Sequence, residues 1–285
     1  MERIALVIPT LNAGLEFTEV LTLINDQSSV LDKKIIFDSE SEDETVKIAV
    51  KNGFKVEKIK RANFGHGKSR TYIAKVLKDY DYIIYMTQDV FFQRNALKEL
   101  VDFIKSDSDL GVVYGKQEVD FEKSNIFEKK AREFNYPETS MIKRYQDRDR
   151  LGIKTVFSSD AFAIYRSRIL EEVGYFPEVN FAEDMAVAAK MIKKGYAVGY
   201  CAEAKCYHSH NYSVLEEYKR MKIIGEFHRE NPWIQKEFGS NESEGIKSVI
   251  EEFKYLLRNG KFYLIPESIL RFGMKYLGYR SGCRK

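Results

Sequence analysis

Apolar residues in this chain fall into short unbroken runs separated by polar stretches with helical spacing. Arg3 to Thr10, with Ile4 to Ile8 at its centre, reads as a buried first strand, and Gly14 to Asn25 has the spacing of an amphipathic helix. Lys34-Ile35-Ile36-Phe37-Asp38 predicts a second strand. It runs into Ser39 to Thr45, a polar loop with helix-capping residues, then a helix to Asn52-Gly53 and a short strand from Phe54 to Ile59. This alternation predicts a parallel sheet. After the glycine-bearing loop Asn63 to Arg70 come a helix to about Leu77 and the β-branched, aromatic run Tyr82 to Met86, which ends at Thr87-Gln88-Asp89.

The second half is less regular. A helix is expected from Asn95 to Ser106, a strand from Gly111 to Gln117, and a charged helical excursion from about 118 to 150. Strand-like material returns from Val156 to Tyr165. A helix then opens at Glu183-Asp184 and closes with a basic last turn and Gly195, before a last strand near Ala197 to Tyr200. Beyond Tyr212 the spacing is helical. With no internal repeat, low-complexity tract or Pro-rich linker, the expectation is an α/β fold: a Rossmann-like, mostly parallel sheet flanked by helices over 1–212, with a C-terminal helical extension over 213–285.

Composition narrows the function. A chain of 285 residues, 44% hydrophobic and 31% charged, can bury a large core. The net charge of +3 arises from 46 basic against 43 acidic residues, so generic nucleic-acid binding is not indicated and any basic patch must come from local clustering. Cys201, Cys206 and Cys283 make an odd count without a scaffold spacing, which fits a reducing cytoplasm. The first apolar run is too short for a signal segment and none reaches spanning length, so the protein reads as soluble, or peripheral at the inner face of the cell membrane.

Several residues stand where chemistry is done in α/β sheets. Asp89 emerges at the carboxyl end of a buried strand, the ligand-binding edge of such sheets, and one carboxylate is enough protein ligation for Mg2+ or Mn2+ on a diphosphate. A helix cap is the bland alternative. Asp38 ends the second strand in the same way and can accept from the N3–H of a uracil or thymine, with Thr10 flanking the base; an Asx turn explains Asp38 equally. Lys68 and Arg70 follow Gly65 and Gly67 at a helix start, a place suited to phosphate, although the glycine spacing matches no known phosphate loop. Glu183 and Asp184 can divide labour, one serving as general base, or can simply favour a helix dipole. His208 or His210 can add an imidazole to the Asp89 metal. Structural zinc at Cys206 to Tyr212 is disfavoured because paired knuckles are missing, which leaves Cys201 and Cys206 as small buried hydrophobes. Phe134 to Pro137 and Gly152 to Thr155, including Lys154, can line an acceptor or diphosphate pocket. Arg271 to Lys285 mixes aromatics with cations and suits either an anionic bilayer surface or a solvated tail.

Taken in order, Val7-Ile8-Pro9-Thr10-Leu11-Asn12, Asp38-Ser39, Asn63-Phe64-Gly65-His66-Gly67 with Arg70, Thr87-Gln88-Asp89, Phe134-Asn135-Tyr136-Pro137, Gly152-Ile153-Lys154-Thr155, Ala182-Glu183-Asp184-Met185 and Tyr207-His208-Ser209-His210-Asn211-Tyr212 resemble family-2 inverting glycosyltransferases of the GT-A fold, bacterial rhamnosyltransferase branch. The resemblance implies that Thr10, Asp38 and Arg70 hold the nucleoside diphosphate, Asp89 binds Mg2+ or Mn2+, Asp184 is the base, and His208 is a further metal or diphosphate contact. The family's usual Asp-x-Asp reads Thr87-Gln88-Asp89 here, and Gln88 in that place looks like rhamnosyltransferases. The implied donor is dTDP-L-rhamnose, and the implied acceptor is a hydroxyl of a polysaccharide or lipid-linked oligosaccharide. A UDP-hexose donor, a nucleotidyltransferase, and a non-catalytic carbohydrate- or nucleotide-sugar-binding protein are the rival readings; a homodimer is a further expectation for the C-terminal helices.

Overall fold

The computed structural model describes residues 2–120 and 124–284. In chain order the elements are β1 (Ile4–Thr10), α1 (Phe17–Asp26), β2 (Lys33–Asp38), α2 (Thr45–Lys51), β3 (Lys55–Lys58), α3 (His66–Val76), β4 (Tyr82–Met86), β5 (Phe91–Phe92), α4 (Ala96–Lys105) and β6 (Leu110–Glu118). They continue with α5 (Ile126–Asn135), β7 (Met141–Lys143), α6 (Arg148–Leu151), β8 (Phe162–Arg166), α7 (Ser167–Glu172), α8 (Glu183–Lys193) and β9 (Ala197–Tyr207). Four helices follow: α9 (Val214–Glu230), α10 (Pro232–Phe238), α11 (Asn241–Arg258) and α12 (Ile265–Cys283). The chain divides into two compact units, Met1–Glu118 with Pro137–Tyr145 and Val156–His208, and Val119–Tyr136 with Gln146–Thr155 and Ser209–Lys285.

The first unit is built on one sheet of order β3-β2-β1-β4-β8-β6-β9-β5, with β7 paired to β9. The ladders joining β3, β2, β1 and β4 are all parallel, as the strand–helix alternation requires. Beyond them the sheet is mixed. β8 lies antiparallel between β4 and β6, while β6 and β9 run parallel. β1 and β4 are buried along nearly their whole length, as expected of strands covered on both faces. On one face, Phe17, Val20, Leu21 and Ile24 of α1 and Ala96, Leu97, Leu100, Val101 and Ile104 of α4 pack into the same core as Leu6, Ile8, Ile84 and Ile164. Each such fully buried Leu or Ile contributes about 1.5–3 kcal/mol.

Two elements depart from the pattern read in the sequence. The stretch expected as a helical excursion contains β7, a three-residue strand antiparallel to β9. β9 itself continues seven residues past Tyr200, to Tyr207. Its second half alternates buried Ala202, Ala204 and Cys206 with more exposed Glu203, Lys205 and Tyr207. A period-two strand whose inward residues are this small leaves little hydrophobic signal.

The second unit is helical. Residues 209–285 recruit α5 and α6, so it takes in more chain than a C-terminal extension alone. The backbone N–H of Asp120 donates to Ser209 Oγ at 3.0 Å, and that of Asn125 to Asn211 Oδ1 at 2.9 Å. Ser213 and Glu216 form a reciprocal capping box at the start of α9. Arg271 of α12 reaches Glu217 at 3.3 Å and Glu267 at 2.9 Å, and its guanidinium lies 4.7 Å from the centre of the Phe127 ring. The α9 and α12 backbones nearly touch: a Cβ on Gly278 would lie 2.3 Å from the carbonyl oxygen of Tyr218, and one on Gly282 2.0 Å from that of Lys222. Only glycine permits that approach.

Candidate active site

The carboxyl ends of β1 and β2 carry an interlocked pair of loops. Asp38 is buried and accepts from Thr10 Oγ1 at 2.9 Å, from the Ser41 backbone N–H at 3.0 Å and from Ser41 Oγ at 2.5 Å. Ser41 Oγ, Thr45 Oγ1 and Asp43 Oδ2 in turn accept from the backbone N–H groups of Asn12, Ala13 and Gly14. Gln88 brackets the same segment, its Oε1 accepting from Leu11 N–H at 2.9 Å and its Nε2 donating to Leu11 O at 3.2 Å. Thr10, Asp38 and Gln88 thus come together at one rim of the sheet. Asp38 makes its Asx-type contacts there, and Gln88 is held by backbone rather than aimed outward.

A second cluster forms where α3 meets the start of α8. The glycine loop serves packing: a Cβ on Gly67 would fall 1.9 Å from Pro177 O, so this helix start seats against that carbonyl only with glycine. One turn on, Arg70 is buried, its Nε 2.8 Å from Asp160 Oδ2 and its Nη1 2.7 Å from Glu183 Oε1. The guanidinium expected to face phosphate is therefore engaged by two carboxylates. Tyr165 donates to Asp160 Oδ1 at 2.5 Å, and Tyr85 donates to the Arg70 carbonyl at 3.0 Å. His66 stands 3.9 Å from Glu183, its pKa lowered by burial.

The two adjacent acids are held differently. Ala182, left-handed at φ 60°, turns the chain into α8 and sets Glu183 and Asp184 in its first turn. Glu183 takes the arginine. Asp184 accepts from two backbone donors, Met185 N–H at 2.7 Å and Asp160 N–H at 3.3 Å. Burial, with Glu183 and Asp160 close by, drives the Asp184 carboxyl well above the ordinary carboxylate range. Asp160 is raised as well, chiefly by burial.

The third feature follows from the register of β5 on β9. Phe91 pairs with Tyr207 and Phe92 with Cys206, so Asp89, two residues before β5, arrives beside His208, one residue after β9. His208 Nε2 lies 3.5 Å from Asp89 Oδ2. On its other side Nδ1 is 2.9 Å from Gln117 Oε1, and Gln117 Nε2 donates to Ser159 Oγ at 2.8 Å. His208 therefore faces an amide oxygen through Nδ1 and the Asp89 carboxylate through Nε2. A carboxylate oxygen and an imidazole nitrogen so placed can hold a divalent cation. Cys201 and Cys206 are buried thiols outside any disulfide, in keeping with small hydrophobes.

Lys154 belongs to the second unit. Its ammonium lies 3.6 Å from the centre of the Phe134 ring and 3.3 Å from Glu244, and burial lowers its pKa. Sequence reasoning assigned nothing to Asp160 or Gln117. Asp160 did leave a signal, a lone acid inside a strand-like run, because a charge among buried residues demands a partner. Gln117 left none beyond being the polar end of an apolar strand.

Residues 5–174 match Glycosyl transferase family 2. The chain is 43% identical over 284 residues to the O-antigen chain rhamnosyltransferase RfbN of Salmonella typhimurium, covering 98% of this chain and 89% of that protein. It is 39% identical over 285 residues to the O-antigen chain rhamnosyltransferase WbaN of Salmonella anatum, covering 99% and 90%. In structure it is similar to the mannosyltransferase PcManGT from Pyrobaculum calidifontis in complex with GDP-Man and Mn2+, with a TM-score of 0.62 at 14% identity over 98% of this chain and 86% of that one. It is also similar to S. aureus TarS 1-349 in complex with UDP-GlcNAc, with a TM-score of 0.57 at 18% identity over 99% and 90%. At such identities the structural likeness concerns the fold.

Proposed function

The chain belongs to glycosyl transferase family 2, and from that premise we propose that it transfers L-rhamnose from dTDP-L-rhamnose to a hydroxyl of a growing O-antigen chain, inverting the anomeric configuration. Two relatives named O-antigen chain rhamnosyltransferases, alike over almost the whole chain, support the sugar and the pathway. The chemical half rests on one observation: of two neighbouring acids, Glu183 is paired with Arg70 while Asp184 sits on backbone donors with a raised pKa. Such a carboxylate is a stronger base than an ordinary one, suited to an acceptor hydroxyl.

In this reading Asp184 takes the hydroxyl proton as the acceptor oxygen attacks the anomeric carbon. The bond to the diphosphate breaks on the opposite face, and the diphosphate leaves with the electron pair. Arg70 pairs with Glu183 and fixes the first turn of α8, so that Asp184 is aimed before substrate arrives. Thr10 and Asp38 form the wall against which the pyrimidine rests, and Gln88 holds that wall by clamping Leu11.

Asp89 and His208 would hold the metal, and their mixed oxygen and nitrogen donors suit Mn2+ better than Mg2+, which prefers oxygen alone. A divalent cation there supplies positive charge to the departing diphosphate. Thr10, Asp38, Arg70, Gln88, Asp89, Asp184 and His208 all lie in the first compact unit, within 1–212. An acceptor presented on a lipid would also bring the enzyme to the membrane face.

Calorimetric titration with dTDP-L-rhamnose, UDP-glucose and UDP-N-acetylglucosamine, each with and without Mn2+, tests this reading. Metal-enhanced binding selective for dTDP-L-rhamnose is expected. A UDP-sugar that binds more tightly would overturn the donor, and binding of none of the three would overturn the transferase reading itself.

A further inference from the structure

The second unit leaves an apolar surface uncovered. On α11, Ile246, Ile250, Phe253 and Leu257 recur at the three- and four-residue spacing of one helix face, and all but the half-buried Phe253 are exposed. The opposite face of that helix is occupied, Tyr255 by Lys130 of α5 at 3.8 Å and Glu252 by a hydrogen bond from Ser268. Ile269, Leu270, Tyr276 and Leu277 line the face of α12 turned away from its glycine seam with α9, and each is about half exposed. Between the two helices Phe262 and Tyr263 are 67% and 69% exposed, more than large aromatics normally are on a solvated surface.

Charge indicates what covers it. Asn241 to Lys285, which span both helices, hold nine of the 46 basic residues and five of the 43 acidic ones, so this stretch carries +4 in a chain whose total is +3, with Arg271 and Lys275 turned to Glu217 of α9. Arg258 and Lys261 flank the exposed aromatics directly. An apolar face edged by cations matches an anionic bilayer, where the side chains enter the headgroup boundary and the cations meet lipid phosphates. Among the described residues no helix is long and apolar enough to cross a membrane, so the geometry is that of a surface lying on the bilayer.

We propose that the outward faces of α11 and α12, with Phe262 and Tyr263 at their junction, dock this enzyme on an anionic phospholipid surface. The proposal deepens the reading of a lipid-presented acceptor, but its test reads lipid binding and not sugar transfer, so the two can fail separately.

The experiment is cosedimentation of the full chain with vesicles of phosphatidylcholine alone and of phosphatidylcholine with phosphatidylglycerol, beside its solution mass. Partition is expected to be at least about tenfold greater on the anionic vesicles and to fall several-fold in about 0.5 M salt. Replacing both aromatics (Phe262→Ser with Tyr263→Ser) should reduce it several-fold at constant salt, as should Arg258→Glu with Lys261→Glu, with dTDP-L-rhamnose binding unchanged. Equal partition on neutral and anionic vesicles, or none, would overturn the proposal. So would a stable dimer in solution that the aromatic replacements dissociate, since a second copy would then be the occupant.

Discussion

The Arg70 cluster and the Asp89–His208 corner hold acids in opposite ways. At the first, Asp160, Glu183 and Asp184 crowd around one guanidinium, and Asp184 is left to backbone donors with its pKa raised. At the second, Asp89 is 44% exposed beside an imidazole whose other nitrogen is fixed by Gln117. Burial and like charge favour binding a proton; an exposed carboxylate beside an imidazole nitrogen favours binding a cation. Two acidic environments result, and the proposed transfer would use both, one for the hydroxyl proton and one for the diphosphate charge.

Asp184→Asn breaks the contrast at its proton side. Transfer should fall by about 10³-fold or more, with dTDP affinity within about twofold of the parent; a variant retaining a tenth of the parent turnover would remove Asp184 from the base role. The same group sets a pH limb. With its pKa pushed up to about 8, Asp184 is increasingly protonated as pH falls, so kcat should decline from alkaline toward neutral pH and flatten in the asparagine variant. A limb in the ordinary carboxylate range would contradict the assignment.

Asp89→Ala tests the cation side. It should weaken Mn2+-dependent donor binding by about 10²-fold while leaving metal-free dTDP binding alone, and an unchanged Mn2+ titration would exclude it as a ligand. Gln117→Leu sharpens the comparison further, because it removes only what orients His208. A loss of about tenfold in Mn2+ affinity, with the pH limb set by Asp184 unmoved, is expected; equal losses in both would mean that the two environments are not independent.

The nucleotide half was legible because its strands are continuous runs of Ile, Val and aromatic residues with parallel neighbours, and each ends in a residue of chemical type: Thr10, Asp38, Asp89. The rest was hidden for physical reasons. β7 is too short for a period, and the far half of β9 turns alanines and a cysteine inward. The proximity of Glu183 and Asp184 to a helix start was readable, but the choice between them was not. It depends on Arg70, more than a hundred residues earlier, selecting Glu183 across space. Gly67 illustrates the same limit. The glycine was visible, yet its function, making room for Pro177 O, belongs to a contact that no local spacing encodes.

The pairing of Asp120 with Ser209 sets a clock on synthesis. Those partners are 89 residues apart, and a ribosome adding about 5–20 residues per second needs roughly 4 to 18 s to supply the second after the first. Throughout that interval the nascent segment holding Phe127 waits for its cover, Arg271 arriving later still, so the helical unit assembles after the parallel strands already have their neighbours. A chaperone that recognises exposed aromatic side chains would find its longest opportunity there.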